Sequence, residues 1–262
     1  MSPAASPPPV DRRQLIDGVL DIARRAGAEI LDVYRTRDRT HAAKADSSPL
    51  TLADLRSHRL IVRALAELTP GLPVLSEEGA MIGFAERASW RRHWLVDPLD
   101  GTKEFISGNG EFTVNIALIG QHEPQLGVVY IPVLDTLYWG GPGLGAWRRQ
   151  GVAEPVPIQV HRHAAAPVRV VGSRSHRGDS LDGFLARLGP HLFIPVGSSV
   201  KFCMVAEGTA DVYPRLGPTS EWDTAAAHAV VTGAGGFVVT AAGEPMTYNG
   251  KADLRNPDFV VY

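Results

Sequence analysis

Acidic side chains follow an apolar segment in the stretch 94–102, Trp-Leu-Val-Asp-Pro-Leu-Asp-Gly-Thr. The apolar residues predict a strand that ends at Asp97, and Pro98 predicts a turn that brings Asp100 to the same side. Two carboxylates at one strand end repel each other unless a cation lies between them, and hard oxygen ligands suit Mg²⁺ or Mn²⁺. The backbone N–H groups of residues 101–102, at the start of a short helix, could hold a phosphate. The alternative is a polar turn without a ligand.

Three further acidic positions each have a structural explanation when taken alone. Glu77 lies in Ser-Glu-Glu-Gly after a short apolar segment, and it could belong to an exposed turn. Asp223 falls in the first turn of a predicted helix, where a negative charge complements the helix dipole. Asp54 completes a Thr-x-x-Asp pattern starting at Thr51, which resembles a capping box. Singly, these residues do not define a site.

In combination and in this order, the acidic blocks resemble the inositol-monophosphatase-type phosphatases, which are magnesium-dependent and lithium-sensitive. A chance match to Asp-Pro-x-Asp-Gly-Thr in a chain of this length is on the order of 10⁻⁴. Two further blocks in the right order make coincidence negligible. The resemblance covers about residues 11–262. It implies an α+β fold, the layered αβαβα sugar-phosphatase fold that inositol monophosphatases share with fructose-1,6-bisphosphatases.

Within that family, other blocks resemble the 3'(2'),5'-bisphosphate nucleotidase branch. They are Lys44–Asp54, Lys103–Ile106, Gly110–Ile119, Gly197–Cys203, Tyr213–Arg215 and Gly217–Ala225. This implies hydrolysis of the 3'-phosphate of adenosine 3',5'-bisphosphate to AMP and phosphate, extending to the sulfated nucleotide PAPS, within sulfate assimilation. Two alternatives stay open. One is an inositol-1-phosphatase or fructose-1,6-bisphosphatase with the same metal core, and the other is a non-catalytic magnesium- or nucleotide-binding regulator.

The resemblance also implies roles for individual residues. Two or three Mg²⁺ ions, replaceable by Mn²⁺, would be held by Glu77, Asp97, the Leu99 carbonyl, Asp100 and Asp223. Thr102, paired with Asp54, would orient and help deprotonate the attacking water. Substrate contacts would come from Glu77, Leu99, Asp100, Gly101, Thr102 and Asp223. Lys201 and Arg215 are extra cations suited to a second phosphate, and their alternative is ordinary surface pairing.

Periodicity predicts the elements that carry these residues. Apolar residues spaced three and four apart predict a helix from Asp11 and a second from Thr51 that stops at Pro70. Between residues 73 and 149, short apolar segments separated by turn residues predict a sheet with an antiparallel meander. Strands and helices then alternate. We expect a disordered arm over residues 1–10 and one domain over 11–262, with lobes at about 11–150 and 155–262.

Composition excludes several classes of protein. The 262 residues carry 26 Lys and Arg against 28 Asp and Glu, so the basic excess of a dedicated nucleic-acid binder is missing. The single cysteine rules out an internal disulfide. No run of residues reaches the roughly 18 apolar positions of a membrane span, and the first ten lack the pattern of a signal peptide. We expect a cytoplasmic monomer or homodimer, free or peripheral at the inner membrane.

Overall fold

The computed structural model describes residues 11–36, 41–43, 49–162, 166–174 and 179–262. The predicted disordered arm, residues 1–10, lies outside the described residues. So does the segment 44–48, which begins the Lys44–Asp54 block. Among the described helices, none is both long and apolar enough to cross a membrane.

Two N-terminal helices cover one face of a large sheet, as predicted. Helix α1 spans Arg12–Thr36 and helix α2 spans Leu52–Leu68, and the two pack against each other. The residues at the predicted three- and four-residue spacing in α1 are apolar, so this face packs against the sheet and is buried. A short antiparallel pair, β1 (His41–Ala43) and β2 (Pro49–Thr51), connects the helices.

The sheet contains seven strands in the order β3-β4-β5-β6-β7-β8-β9. They are β3 Val74–Ser76, β4 Arg92–Asp100, β5 Thr113–Gly120, β6 Glu123–Ile131, β7 Thr136–Gly141, β8 Gly145–Gln150 and β9 Val156–Pro157. Strands β3 and β4 are parallel, and the remaining neighbours form the predicted antiparallel meander. Two short helices, α3 (Phe84–Arg87) and α4 (Thr102–Ser107), flank β4 along the chain.

The predicted end of β4 at Asp97 is wrong in detail. The strand continues to Asp100, and one extra residue is accommodated as an irregularity between Asp97 and Asp100. Asp97 pairs with Asn115 and Asp100 pairs with Thr113, so three steps on β4 match two steps on β5. Because side chains alternate along a strand, this bulge puts both aspartates on the same face. The expected juxtaposition is therefore present, but a bulge produces it.

The C-terminal half of the chain covers the other face of the sheet. Its elements are β10 Val168–Ser173, α5 Asp179–Leu188, β11 His191–Val196, α6 Val200–Ala206, β12 Tyr213–Arg215, α7 Glu221–Gly233, β13 Val238–Thr240 and β14 Phe259–Val261. Helix α7 crosses five strands, β4 to β8, and α6 packs beside it. Two small sheets, β10-β11 and β12-β14-β13, form the next layer. The predicted layered α+β class is confirmed.

Candidate active site

Parallel pairing brings the first three acidic residues together. Strand β3 pairs with β4 in the register Ser76 to Val96, and the Glu77 backbone N–H donates to the Val96 carbonyl at 3.1 Å. Glu77 therefore leaves its strand beside Asp97, with Asp100 one bulge further along. Asp97 is almost completely buried. The carboxyl ends of two neighbouring parallel strands thus concentrate negative charge at one edge.

The fourth carboxylate comes from the opposite layer. Asp223 lies in the first turn of α7, and its Oδ2 accepts the Ser220 backbone N–H at 2.8 Å, as a capping residue does. Burial raises the pKa of Asp97 well above its ordinary value, and the charges of Glu77, Asp100 and Asp223 raise it further. A hydrogen bond with the Glu77 side chain acts in the same direction. All four acids therefore share one electrostatic environment.

This donor set fits a hard divalent cation. Among the described residues, no group of three or more His, Cys, Asp or Glu side chains lies close enough together to hold a metal ion in the present arrangement. The oxygen chemistry nevertheless suits Mg²⁺ or Mn²⁺, and the mutual repulsion of the buried carboxylates is the cost that a cation would remove.

Asp54, the predicted partner of Thr102, lies on helix α2, where it caps the helix and also contacts Thr102. Asp54 Oδ2 accepts the Thr51 backbone N–H at 2.7 Å, which completes the capping box. Its other oxygen, Oδ1, lies 3.3 Å from the Thr102 hydroxyl. One carboxylate therefore anchors the helix with one oxygen and contacts Thr102 with the other.

Two further residues of α2 that sequence reasoning missed also contact the strand ends. The Ser57 hydroxyl donates to the Pro98 carbonyl at 2.8 Å, next to the Leu99 peptide. The His58 ring Nδ1 lies 2.9 Å from the Ser76 hydroxyl, the residue before Glu77. Their positions three and four residues after Asp54, on the same helix face, are the sequence signal that could have identified them.

A cleft at the edge of the sheet collects most of the predicted substrate residues. Asp100, Gly101, Thr102, Lys201, Arg215 and Asp223 all line it. Glu77, Asp97, Leu99 and Asp54 are not among its lining residues; Asp54 reaches it through Thr102, and Glu77 and Asp97 interact electrostatically with Asp100 and Asp223.

The two predicted cations differ in their surroundings. Lys201 is buried, its Nζ donates to the Ser198 carbonyl at 2.5 Å, and it lies 5.3 Å from the centre of the Tyr213 ring. Burial lowers the pKa of Lys201 to about 8. A surface pair is therefore wrong for Lys201. Arg215 is partly buried and donates to the Pro218 carbonyl at 2.8 Å.

Glu111, which sequence reasoning did not single out, holds the loop before α6, the helix that carries Lys201. Glu111 Oε2 accepts the Gly197 backbone N–H at 2.8 Å, and Oε1 accepts Arg174 at 2.7 Å. A glycine is required at 197, because a Cβ there would lie 2.6 Å from the Glu104 side chain and 3.0 Å from the Glu111 carbonyl oxygen.

This arrangement defines a phosphatase-like carboxylate site in a layered α+β fold. Residues 11–258 match the model of the inositol monophosphatase family. The chain belongs to that family.

Particular relatives are similar over nearly the whole chain. The 3'(2'),5'-bisphosphate nucleotidase CysQ of Escherichia coli (strain K12) is 48% identical over 249 residues, covering 94% of this chain and 99% of the relative. The protein of the same name from Buchnera aphidicola is 41% identical, covering 90% and 88%. The crystal structure of CysQ from Bacteroides thetaiotaomicron superposes with a TM-score of 0.86 at 43% identity, covering 97% and 98%. The resemblance to the nucleotidase branch is confirmed.

Proposed function

We propose that this chain is a metal-dependent phosphomonoesterase that hydrolyses the 3'-phosphate of adenosine 3',5'-bisphosphate, giving AMP and inorganic phosphate. The observation that carries the proposal is the cleft in which Asp100, Thr102 and Asp223 stand together with Lys201 and Arg215. The relatives named as 3'(2'),5'-bisphosphate nucleotidases support this substrate class. PAPS carries the same 3'-phosphate and is the second substrate that we propose.

The metal ligands would be Glu77, Asp97, the Leu99 carbonyl, Asp100 and Asp223. Bound Mg²⁺ would neutralise charge on the phosphate and on the attacking and leaving oxygens. The carboxylates themselves need no other chemical role, because phosphoryl transfer depends on positioning and charge neutralisation more than on a protein nucleophile.

Thr102 and Asp54 would handle the proton of the attacking water. The Thr102 hydroxyl, which donates to Asp54 Oδ1, would accept a hydrogen bond from that water. Water would attack phosphorus while its proton moves through Thr102 toward Asp54. The bond between phosphorus and the 3'-oxygen would break, and the departing 3'-oxygen would take a proton from solvent water to give the 3'-hydroxyl of AMP. Asp54 stays in place during this transfer because its second oxygen is held by the Thr51 backbone.

Lys201 and Arg215 would contact the second phosphate of the nucleotide and so select it over a monophosphate sugar. A charge-assisted hydrogen bond is worth about 1.5–3 kcal/mol, roughly ten- to a hundredfold in rate or affinity. We expect adenosine 3',5'-bisphosphate to exceed inositol 1-phosphate in kcat/KM by at least about a hundredfold. Phosphate release from both substrates, with Mg²⁺ and with a chelator, measures this directly.

Two variants test the origin of that preference. Arg215→Ala, and Lys201→Met, which keeps the apolar stem over Tyr213, should each lower the preference about tenfold or more and spare the inositol 1-phosphate rate. Arg25→Ala is the matched control, because within the described part of the chain Arg25 pairs only with Asp21, on the exposed side of α1. A wild-type preference for inositol 1-phosphate would support the sugar-phosphatase alternative. Nucleotide binding without phosphate release in Mg²⁺ would support a regulator.

A further inference from the structure

Ser199 lies at the junction between the two layers that supply the carboxylates. Its backbone N–H donates to Asp100 Oδ2 at 2.6 Å, and its hydroxyl lies 2.7 Å from the same oxygen. The hydroxyl also lies 2.8 Å from the backbone carbonyl of Asp223. Asp100 ends β4 and Asp223 opens α7, so one buried side chain contacts both elements.

The hydroxyl is not used for the local role that its position suggests. Ser199 is the N-cap residue of α6, yet its side chain makes no capping hydrogen bond to that helix. The preceding residue, Ser198, has a φ of 47°, a left-handed conformation that a non-glycine residue adopts at some cost. In this turn the Ser199 backbone N–H points toward Asp100 and donates to its Oδ2.

Asn115 fixes the direction of the hydroxyl proton. The Asn115 amide Nδ2 donates to Ser199 Oγ at 2.9 Å. Because an amide NH₂ group can only donate, the Ser199 hydroxyl must donate its own hydrogen bond to Asp100 Oδ2 or to the Asp223 carbonyl. The Asn115 amide also lies 3.4 Å from Asp100 Oδ2.

The two oxygens of Asp100 have different surroundings. Oδ2 accepts the Ser199 backbone N–H and lies within hydrogen-bond distance of the Ser199 hydroxyl, whereas none of the hydrogen bonds described for Asp100 involves Oδ1. We infer that Ser199 is a positioning residue: its hydroxyl holds Asp100 Oδ2 and the start of α7 so that Oδ1 is presented to the divalent cation. This inference rests on the metal site of the proposed function.

The test is a calorimetric titration of metal-free protein with Mg²⁺. Ser199→Ala keeps the backbone N–H bond and removes only the hydroxyl, and we expect the Kd for Mg²⁺ to rise about tenfold. The Mg²⁺ concentration for half-maximal activity should rise in parallel. Ser199→Thr, which retains the hydroxyl, should recover most of the affinity. Thr136→Val is the matched control. It removes another buried hydroxyl, which donates a hydrogen bond to the Leu134 carbonyl in the turn between β6 and β7.

Coupling to Asn115 gives a second readout. If Asn115 acts by orienting the Ser199 hydroxyl, Asn115→Ala should also weaken Mg²⁺ binding, and the double variant should lose less than the sum of the two. A Ser199→Ala protein that binds Mg²⁺ within twofold of wild type overturns the inference, as does a wild type that binds no Mg²⁺. Failure of the proposed substrate is distinguishable, because the wild type would then bind Mg²⁺ and release no phosphate from the bisphosphate.

Discussion

At the scale of single residues, the carboxylates with proposed chemical roles also make structural contacts. Asp54 caps α2 with one oxygen and contacts Thr102 with the other. Asp223 caps α7 while it contributes to the charge around Asp97. A structural role and a proposed catalytic role therefore coexist in one side chain, which is why mutational tests must measure stability beside activity.

Thr102 and Asp54 can be tested as a unit. We expect Thr102→Ala and Asp54→Asn each to lower kcat strongly, by about a hundredfold or more, and the double variant to lose little further, because the two groups move one proton. Kinetics and thermal unfolding of the three variants measure this. If Asp54 only capped its helix, Asp54→Asn would cost about 0.5–2 kcal/mol of stability and leave kcat nearly unchanged.

At the scale of elements, the position of α7 depends on close contact with the central sheet. A Cβ added at Gly127 in β6 would lie 1.9 Å from the Ala226 backbone oxygen of α7. Neither backbone can move without disturbing the sheet or the helix that carries Asp223. Glycine is normally unfavourable in the middle of a strand. At position 127 it is needed because only a residue without a Cβ lets α7 pack this close to β6.

Gly127→Ala tests this contact. We expect it to lower the free energy of unfolding by about 1–3 kcal/mol or more, because the added methyl group separates α7 from the sheet. It should also weaken Mg²⁺ binding by displacing Asp223. Gly83→Ala is the control: it adds the same methyl group at a position with no atom within 4 Å, and should change stability by less than about 0.5 kcal/mol. Equal stability of the two variants in urea unfolding would contradict the prediction.

At the scale of the whole molecule, the carboxylate cluster couples folding to proton binding. Burial and neighbouring charges raise the pKa of Asp97, so the folded metal-free protein binds a proton more tightly than the unfolded chain. Charge on Asp97 therefore destabilises the fold at high pH, and this cost disappears as pH falls toward the ordinary value near 3.8. A bound divalent cation would relieve the same cost.

Asp97→Asn separates stability from function. Without metal at pH 8, we expect a melting temperature a few degrees above wild type, since about 1 kcal/mol corresponds to about 2–4 °C in a chain of this size. The difference should shrink as pH falls, and the buried histidines, common to both proteins, cancel in the comparison. Activity should fall at least about a hundredfold. Calorimetry from pH 8 to 5 with and without Mg²⁺ measures this, and full turnover by the folded variant would reject the metal site.

The sequence by itself determined the residue types of the site, the family resemblance and most of the elements. Asp-Pro-x-Asp-Gly-Thr and the two other acidic blocks predict the oxygen donors of the proposed metal site, because few arrangements of buried acids are tolerated without a cation. The spacing of apolar residues in α1 and α2 predicts their buried faces, because the period of a helix is local. These properties depend on the chain order alone.

Only the tertiary structure decided how these residues meet. The bulge that places Asp97 and Asp100 on one face follows from pairing with Asn115 and Thr113, which no local pattern shows. Ser199 reaches Asp100 across 99 positions of the chain, and its neighbours in sequence suggest only a helix start. Such contacts depend on packing between distant elements, and a hydrogen bond across that distance leaves no period or spacing in the sequence.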